Sequence, residues 1–250
     1  MNRNFCFSLL LPLLLPFCAA AQPGFLKIDP TSKVAEHGLV LQVGGGVAAV
    51  NSDICKTPDC NRLGPSISLG ALYKLSPNLA ISSELDYVRL GATEDNPRRP
   101  LNVSFRSEVI GLSGAVVVNL KDSYSGSGNY RSLRKRFVVP YVKVGAGLVY
   151  YTPTSYPGQG NLNDSQYTYD SERNYPAVAL LVPLGGGLRF RFSDKISVAP
   201  ELVYYITSTD YLDNIGPRLG DGSSTDHYGV AAVKVLYTPS LKNKIFSKFR

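Results

Sequence analysis

The sequence has no tryptophan, only two histidines and four cysteines, and charged residues make up just 18% of its 250 positions. Each scarcity removes a class of function. His37 and His227 are the whole supply of imidazole, too little for a histidine-rich metal centre. Cys6 and Cys18 fall within the first 21 residues, which leaves Cys55 and Cys60. That pair has no further ligands nearby, so it makes no zinc site. In an oxidising compartment its spacing allows a small loop disulfide and equally two free thiols. Long apolar runs are also missing after residue 21. No segment there reaches the ~20 residues of a spanning helix, so a closed β-barrel is the one remaining way to cross a bilayer. Without tryptophan, the aromatic belts of such a barrel would fall to tyrosine, of which there are 16.

What is present begins with an export signal. Met1-Asn2-Arg3-Asn4 is a short basic start, residues 5–17 are apolar, and Ala19-Ala20-Ala21-Gln22 is a small-residue cleavage site. Pro12 and Pro16 interrupt the apolar run, which argues against a retained anchor, and Phe17 before Cys18 argues against lipidation. Cleavage is placed after Ala21, leaving residues 22–250 as one domain.

The remainder alternates apolar with small or polar residues and shows no helical period. Eight such stretches are read as strands: residues 37–50, 63–75, 79–91, 103–120, 137–152, 177–192, 196–208 and 228–237. Most reach the ~9–11 residues that a tilted membrane strand needs. Long connections follow the first, third, fifth and seventh strands, and very short ones occur at 76–78 and 193–195. Short periplasmic turns opposite long external loops indicate an all-β, eight-stranded antiparallel up-and-down transmembrane β-barrel of OmpA/OmpX-like size. Connection 121–136 departs from the pattern, being long on the periplasmic side and basic from Arg131 to Arg136. Pro140, Pro183 and Pro200 fall inside strands, where bulges or weakened pairing are expected.

A soluble barrel and a membrane barrel share this alternation and differ in which phase faces out. One phase carries Leu39, Leu41, Val43, Ile67, Leu69, Leu85, Val144, Leu148, Leu188 and Leu202. The other carries Gln42, Lys74, Glu84, Asp86, Lys143, Arg189, Arg191, Glu201 and Lys234 among many glycines, including Gly44, Gly145 and Gly187. A Lys or Arg facing lipid at the midplane costs roughly 2–4 kcal/mol, so the charged phase belongs inside. There the five cations can pair with Glu84, Asp86 and Glu201, a structural plug in a lumen that eight strands leave just wide enough for side chains. Arg89 and Glu108 fall on the apolar phase, toward the external ends of their strands, where charge costs less.

Several stretches carry a family resemblance. Thr209, Asp210, Tyr211, Leu212, Asp213 and Asn214 follow Glu201 at a distinctive spacing. Leu101-Asn102-Val103-Ser104-Phe105-Arg106-Ser107-Glu108, Pro140-Tyr141 with Gly145-Ala146-Gly147, Tyr151-Thr152-Pro153, and Pro183-Leu184-Gly185-Gly186-Gly187 complete the set. In order and spacing the chain resembles the Bacteroidota outer-membrane β-barrel family that includes the PorG-type component of the type IX secretion system. It departs from that pattern with Tyr205 in place of an arginine and Ser208 in place of a phenylalanine. The resemblance implies an eight-stranded barrel associated with periplasmic secretion-ring proteins.

Other constellations are weaker. His37 and His227 are expected at opposite ends of a ~25 Å apolar band and cannot share a site. Ser223, Ser224 and His227 imitate a surface lipid-modifying site without a base, an orienter and oxyanion donors in evidence. Asp210, Asp213, Asp221 and Asp226 match no calcium-loop spacing and read as a solvated loop. Tyr156, Tyr167, Tyr169 and Tyr175 in the third long loop support an alternative reading as a surface-binding or adhesion barrel. The sequence thus indicates a non-enzymatic outer-membrane protein with no cofactor, no metal, no nucleic acid and no evident small-molecule substrate. Its expected partners are outer-membrane lipid and periplasmic proteins. The formal charge of +7 is carried partly by the 131–136 and 242–250 clusters, which suit anionic headgroups or such a periplasmic partner.

Overall fold

The computed structural model describes residues 38–52, 55, 57, 59–76, 78–94, 103–121, 136–157, 175–193, 195–214 and 225–239. The expected signal peptide, His37, Ser223, Ser224, Asp221, Tyr167, Tyr169, Leu101, Asn102 and the basic runs 131–135 and 242–250 lie outside the described residues.

Eight strands follow one another: β1 Gly38–Asn51, β2 Gly64–Lys74, β3 Leu79–Thr93, β4 Val103–Asn119, β5 Val138–Pro157, β6 Ala177–Arg191, β7 Ile196–Thr207 and β8 His227–Tyr237. Each pairs antiparallel with the next, and β1 pairs with β8 to close the barrel. No sheet edge is left, so the strand backbone groups find partners inside the wall.

Alternation sets the faces. On β7, for example, Leu202 is 69% exposed on the outside, while Glu201 and Val203 on either side of it are buried. The same parity turns Leu41, Ile67, Leu85, Leu112, Leu148, Leu188 and Val233 outward, an apolar belt around the wall. Such a belt on a closed barrel is stable against hydrocarbon rather than water. Both described chain ends and the short turns between β2 and β3 and between β6 and β7 share one rim, the periplasmic one by the rule for such barrels.

Two features differ from the sequence reading. First, β5 does not end at Thr152 but runs on to Pro157, pairing Ser104 with Tyr156 and Val103 with Pro157. The β-forming stretch Thr154-Ser155-Tyr156 continues the ladder, so the β4–β5 hairpin stands taller than its neighbours at the external end. Second, the prolines give the weakened pairing that is one of the two expected effects at Pro183 and Pro200, but none at Pro140 and no bulge at any of the three. Pairing of β5 with β6 lapses between Val144↔Leu184 and Gly147↔Leu181, opposite Pro183, and resumes in unchanged register. Pairing of β6 with β7 lapses likewise between Gly187↔Glu201 and Phe190↔Val198, opposite Pro200. Pro140 leaves its ladder unbroken. Each proline removes one donor, but a strand held on both sides cannot slip by a residue without turning its apolar face inward.

Candidate functional site

Among the described residues, buried charge is concentrated in the lumen. Glu84 on β3, Lys143 on β5, Glu201 on β7 and Lys234 on β8 all occupy inward positions of their strands, and all are buried. They form a closed ring. Lys143 Nζ lies 3.0 Å from Glu84 Oε2 and 2.8 Å from Glu201 Oε1. Lys234 Nζ lies 2.7 Å from Glu84 Oε2 and 2.8 Å from Glu201 Oε1. The outer carboxylate oxygens are also satisfied, because Gln42 Nε2 donates to Glu84 Oε1 at 2.7 Å and Tyr141 OH donates to Glu201 Oε2 at 2.7 Å. Two positive and two negative charges thus cancel while tying opposite walls together. Space for the Lys234 stem comes from Gly44, where a Cβ would lie 2.7 Å from Lys234 Cγ and 2.6 Å from Ser68 Oγ.

The other charged residues of the inward phase do not join this ring. Asp86 is buried one step toward the outside and accepts from Tyr205 OH at 3.2 Å. The Arg189 guanidinium stands 5.1 Å from the Tyr141 ring centroid, with Nη1 donating to Asn119 Oδ1 at 3.5 Å. Lys74 and Arg191 sit four residues nearer the periplasm than Gly70 and Gly187, which pair with Glu84 and Glu201. Four residues of strand amount to ~13 Å, too far for either cation to enter the ring directly.

Apolar layers bound the ring on both sides, and the sequence reading of a lumen of small residues and charges did not foresee them. Toward the periplasm lie Val40, Leu72, Ala80, Val117, Tyr141, Ala199 and Leu236. Toward the outside lies a larger cluster with Phe105, Val109, Tyr151, Leu181, Tyr205 and Tyr228. Tyr205 stacks on Tyr228 at 4.6 Å between centroids. Small spaces remain on either side of the ring, one against Asp86, Tyr205 and Lys234 and one against Gln42, Tyr141 and Arg189, each about 10 Å³. A single water needs roughly that much, so neither admits a solute. Strand parity was the available signal for these tyrosines: Tyr141 shares its face with Lys143, and Tyr205 shares its face with Glu201.

The segment Thr209, Asp210, Tyr211, Leu212, Asp213, Asn214 folds back as a cap on the external mouth. Leu212 is fully buried in the larger apolar cluster. Thr209 Oγ1 bonds Tyr151 OH at 2.8 Å, and Ser155 Oγ donates to the Asp213 carbonyl at 3.1 Å. Asp226 Oδ2 accepts from the Leu212 amide at 2.9 Å, while the Asp226 amide donates to the Thr209 carbonyl at 2.9 Å. Asn214 adopts φ 64°, a left-handed conformation that asparagine tolerates. Asp213 and Asp226 are therefore buried, which corrects the reading of a solvated acidic loop: the segment folds onto the mouth, where the Asp226 carboxylate serves a backbone donor and the Asp213 carbonyl serves Ser155. No group of residues suited to a metal ion occurs among the described residues.

A second cap element is covalent. Cys55 and Cys60 are joined by a disulfide, and both pack in the external apolar cluster. Asn61 holds this loop to β1, its Nδ2 donating to the Val50 carbonyl at 2.9 Å and its Oδ1 accepting from the Val50 amide at 2.7 Å.

The remaining candidates are dispersed. Tyr156 belongs to β5 and is buried, and Tyr175 packs on Tyr151 with centroids 6.1 Å apart at the external apolar cluster. His227 begins β8 on the outward face against Tyr204, 5.7 Å between ring centroids. Arg89 and Glu108 are paired in register on the outside at 3.3 Å, an exposed contact of little energetic weight.

No family model matches the chain. No curated protein matches it. Among solved structures it is similar to Neisserial surface protein A, with 16% identity, a TM-score of 0.46, and coverage of 83% of this chain and 100% of that one. It is similar to Ail, the attachment invasion locus protein of Yersinia pestis in complex with the heparin analogue sucrose octasulfate, at 13% identity, TM-score 0.45, covering 82% and 99% of the two chains. It is also similar to the outer membrane enzyme PagL, at 14% identity and TM-score 0.36, covering 78% and 98%. At these identities the likeness concerns the barrel alone, and that is where it stops.

Proposed function

We propose that the protein is a non-enzymatic outer-membrane barrel that acts as a structural or accessory component of a protein-secretion machine of type IX kind, docked to periplasmic partners. The observation that carries this is the filling of the lumen. A paired charge ring between two apolar layers, under a folded cap, leaves no path for a solute, so the useful surfaces are the two rims. Of these, the periplasmic rim bears the uncommonly long connection 121–136, and the family-like segments point to a member that works with a periplasmic ring. The external rim spends Leu212 and Tyr175 on closing its own mouth, and Tyr156 is buried, which disfavours adhesion.

Crosslinking in native membranes followed by mass spectrometry tests the reading. Recovery of periplasmic ring proteins, with loss of secreted cargo after deletion of the gene, is the expected result. Recovery of none of them, with secretion intact, overturns it.

A further inference from the structure

The periplasmic end of the barrel carries a strong excess of basic residues. Among the described residues there, Lys74, Lys121, Arg136, Arg189, Arg191 and Lys195 are basic and none is acidic. The sequence of the adjoining segments keeps the basic excess: connection 121–136 holds five basic residues against Asp122, the turn 193–195 holds Asp194 beside Lys195, and residues 238–250 hold four basic residues and no acidic one. The external connections 51–62 and 92–102 are neutral in formal charge, and the two later ones are acidic. Residues 209–227 carry Asp210, Asp213, Asp221 and Asp226 against Arg218.

The direction of these side chains matters as much as their number. Lys74, Arg189 and Arg191 stand on the inward phases of β2 and β6. Lys121 continues the inward phase of β4. Lys195 extends the β7–β8 ladder by one step on the same phase, its carbonyl accepting from the Thr238 amide at 2.8 Å. The outward phase at this level is instead Tyr73, Leu120, Phe192, Ile196 and Tyr237, all exposed and none charged. Lipid headgroups therefore meet aromatic and aliphatic side chains, while Lys74, Lys121, Arg191 and Lys195 stand around the mouth and Arg189 is buried beneath them. Above them the apolar layer with Val40, Leu72 and Leu236 closes the barrel, so the mouth is a shallow basic cup with a dry floor.

We propose that this cup binds an acidic segment of a periplasmic protein, its carboxylates meeting Lys74, Arg191 and Lys195 at the rim. The inference rests on the reading of this end as the docking end and supplies the chemistry of the partner. Lys74, Arg136, Arg189 and Arg191 each make polar or electrostatic contacts within the chain, so the argument is one of net sign and orientation. Opposite potentials across such a contact raise the encounter rate and make binding sensitive to salt.

The test uses the full mature chain in nanodiscs of phosphatidylcholine and a fluorescent peptide of ten glutamates. Saturable binding is expected, weakened at least tenfold between about 50 and 300 mM salt. It should weaken at least tenfold in Lys74→Gln/Arg191→Gln/Lys195→Gln and stay unchanged in Lys242→Gln/Lys244→Gln/Lys248→Gln/Arg250→Gln. Heat-modifiable gel mobility confirms that both variants fold. Equal binding by the wild type and the cup variant overturns the proposal, as does loss of binding in the tail variant alone. In parallel nanodiscs that mix phosphatidylglycerol into the phosphatidylcholine, enrichment of the anionic lipid around the wild type but not the cup variant, without peptide binding, assigns the cup to lipid and overturns it as well. Native-membrane crosslinking is scored separately: ring proteins recovered without peptide binding sinks this inference and leaves the secretion reading standing, and the reverse pattern does the opposite.

Discussion

Lys143 touches both carboxylates of the ring, so its replacement by methionine would leave two buried negative charges facing one lysine. Breaking a buried ion pair from one side costs about 3–5 kcal/mol, because the orphaned partner keeps its desolvation penalty. Lys143→Met is expected to lower stability by that order, read as a fall in the urea midpoint of folded barrel on cold gel electrophoresis or by circular dichroism. The absence of tryptophan rules out the usual indole fluorescence. Adding Glu201→Gln to Lys143→Met restores neutrality and should recover part of the loss. A double variant no better than the single one would show that the contacts, and not the charge balance, hold this layer. Gly145 is constrained differently: a Cβ there would collide with the backbone of Gly114 and Ala115 on β4, so the strands approach too closely for any side chain.

The external cap is made of two elements that lie outside the barrel wall yet pack inside it. Leu212 is fully buried, and truncating such a side chain costs about 2–5 kcal/mol when the surroundings cannot collapse. Leu212→Ala should therefore lower the unfolding temperature and expose the 208–227 connection to protease, while leaving the sheet signal intact. Unchanged protease resistance would mean that the cap's hydrogen bonds suffice without its apolar anchor. The Cys55–Cys60 bridge closes a loop with a sequence separation of 5, and cross-linking so short a loop contributes about 2 kcal/mol in the chain-entropy account. Reduction with dithiothreitol should lower thermal stability by about that amount, and Cys55→Ser/Cys60→Ser should match it and become insensitive to the reductant. The sequence disclosed neither element. A connection has no hydrophobic period, so nothing in residues 209–214 distinguishes an inward fold from a solvated one. The spacing of two cysteines does not say whether they meet.

At the scale of the whole molecule the sealed lumen has a direct electrical consequence. Reconstituted into planar bilayers, the barrel should add no conductance above the lipid leak, and discrete long-lived openings would contradict the packing around Glu84 and Glu201. Much of this architecture was legible beforehand because a strand's two faces depend on the chain alone. Leu202 outward and Glu201 inward follow from parity and from the cost of charge in lipid. Which inward residues meet across the lumen depends instead on strand tilt and stagger. Hence Lys143 and Lys234 could not be singled out from Lys74 and Arg191 before the structure placed them in different tiers. Prolines were the other ambiguity. Their cost is visible, as lapsed pairing opposite Pro183 and Pro200, but the closed wall keeps the register that an open sheet could have surrendered.

Both lapses border β6, one on each side, and β6 also carries Gly185-Gly186-Gly187, which offer no side chains to interlock with their neighbours. β3 and β4, by contrast, are stitched through fifteen consecutive pairs without interruption. One stave of the cask is consequently fastened more loosely than the rest. Deuterium should enter the amides of residues 184–190 sooner than those of residues 81–90, and uniform uptake around the circumference would refute this. Under stress the wall should part along β6, the stave whose ties lapse on both sides.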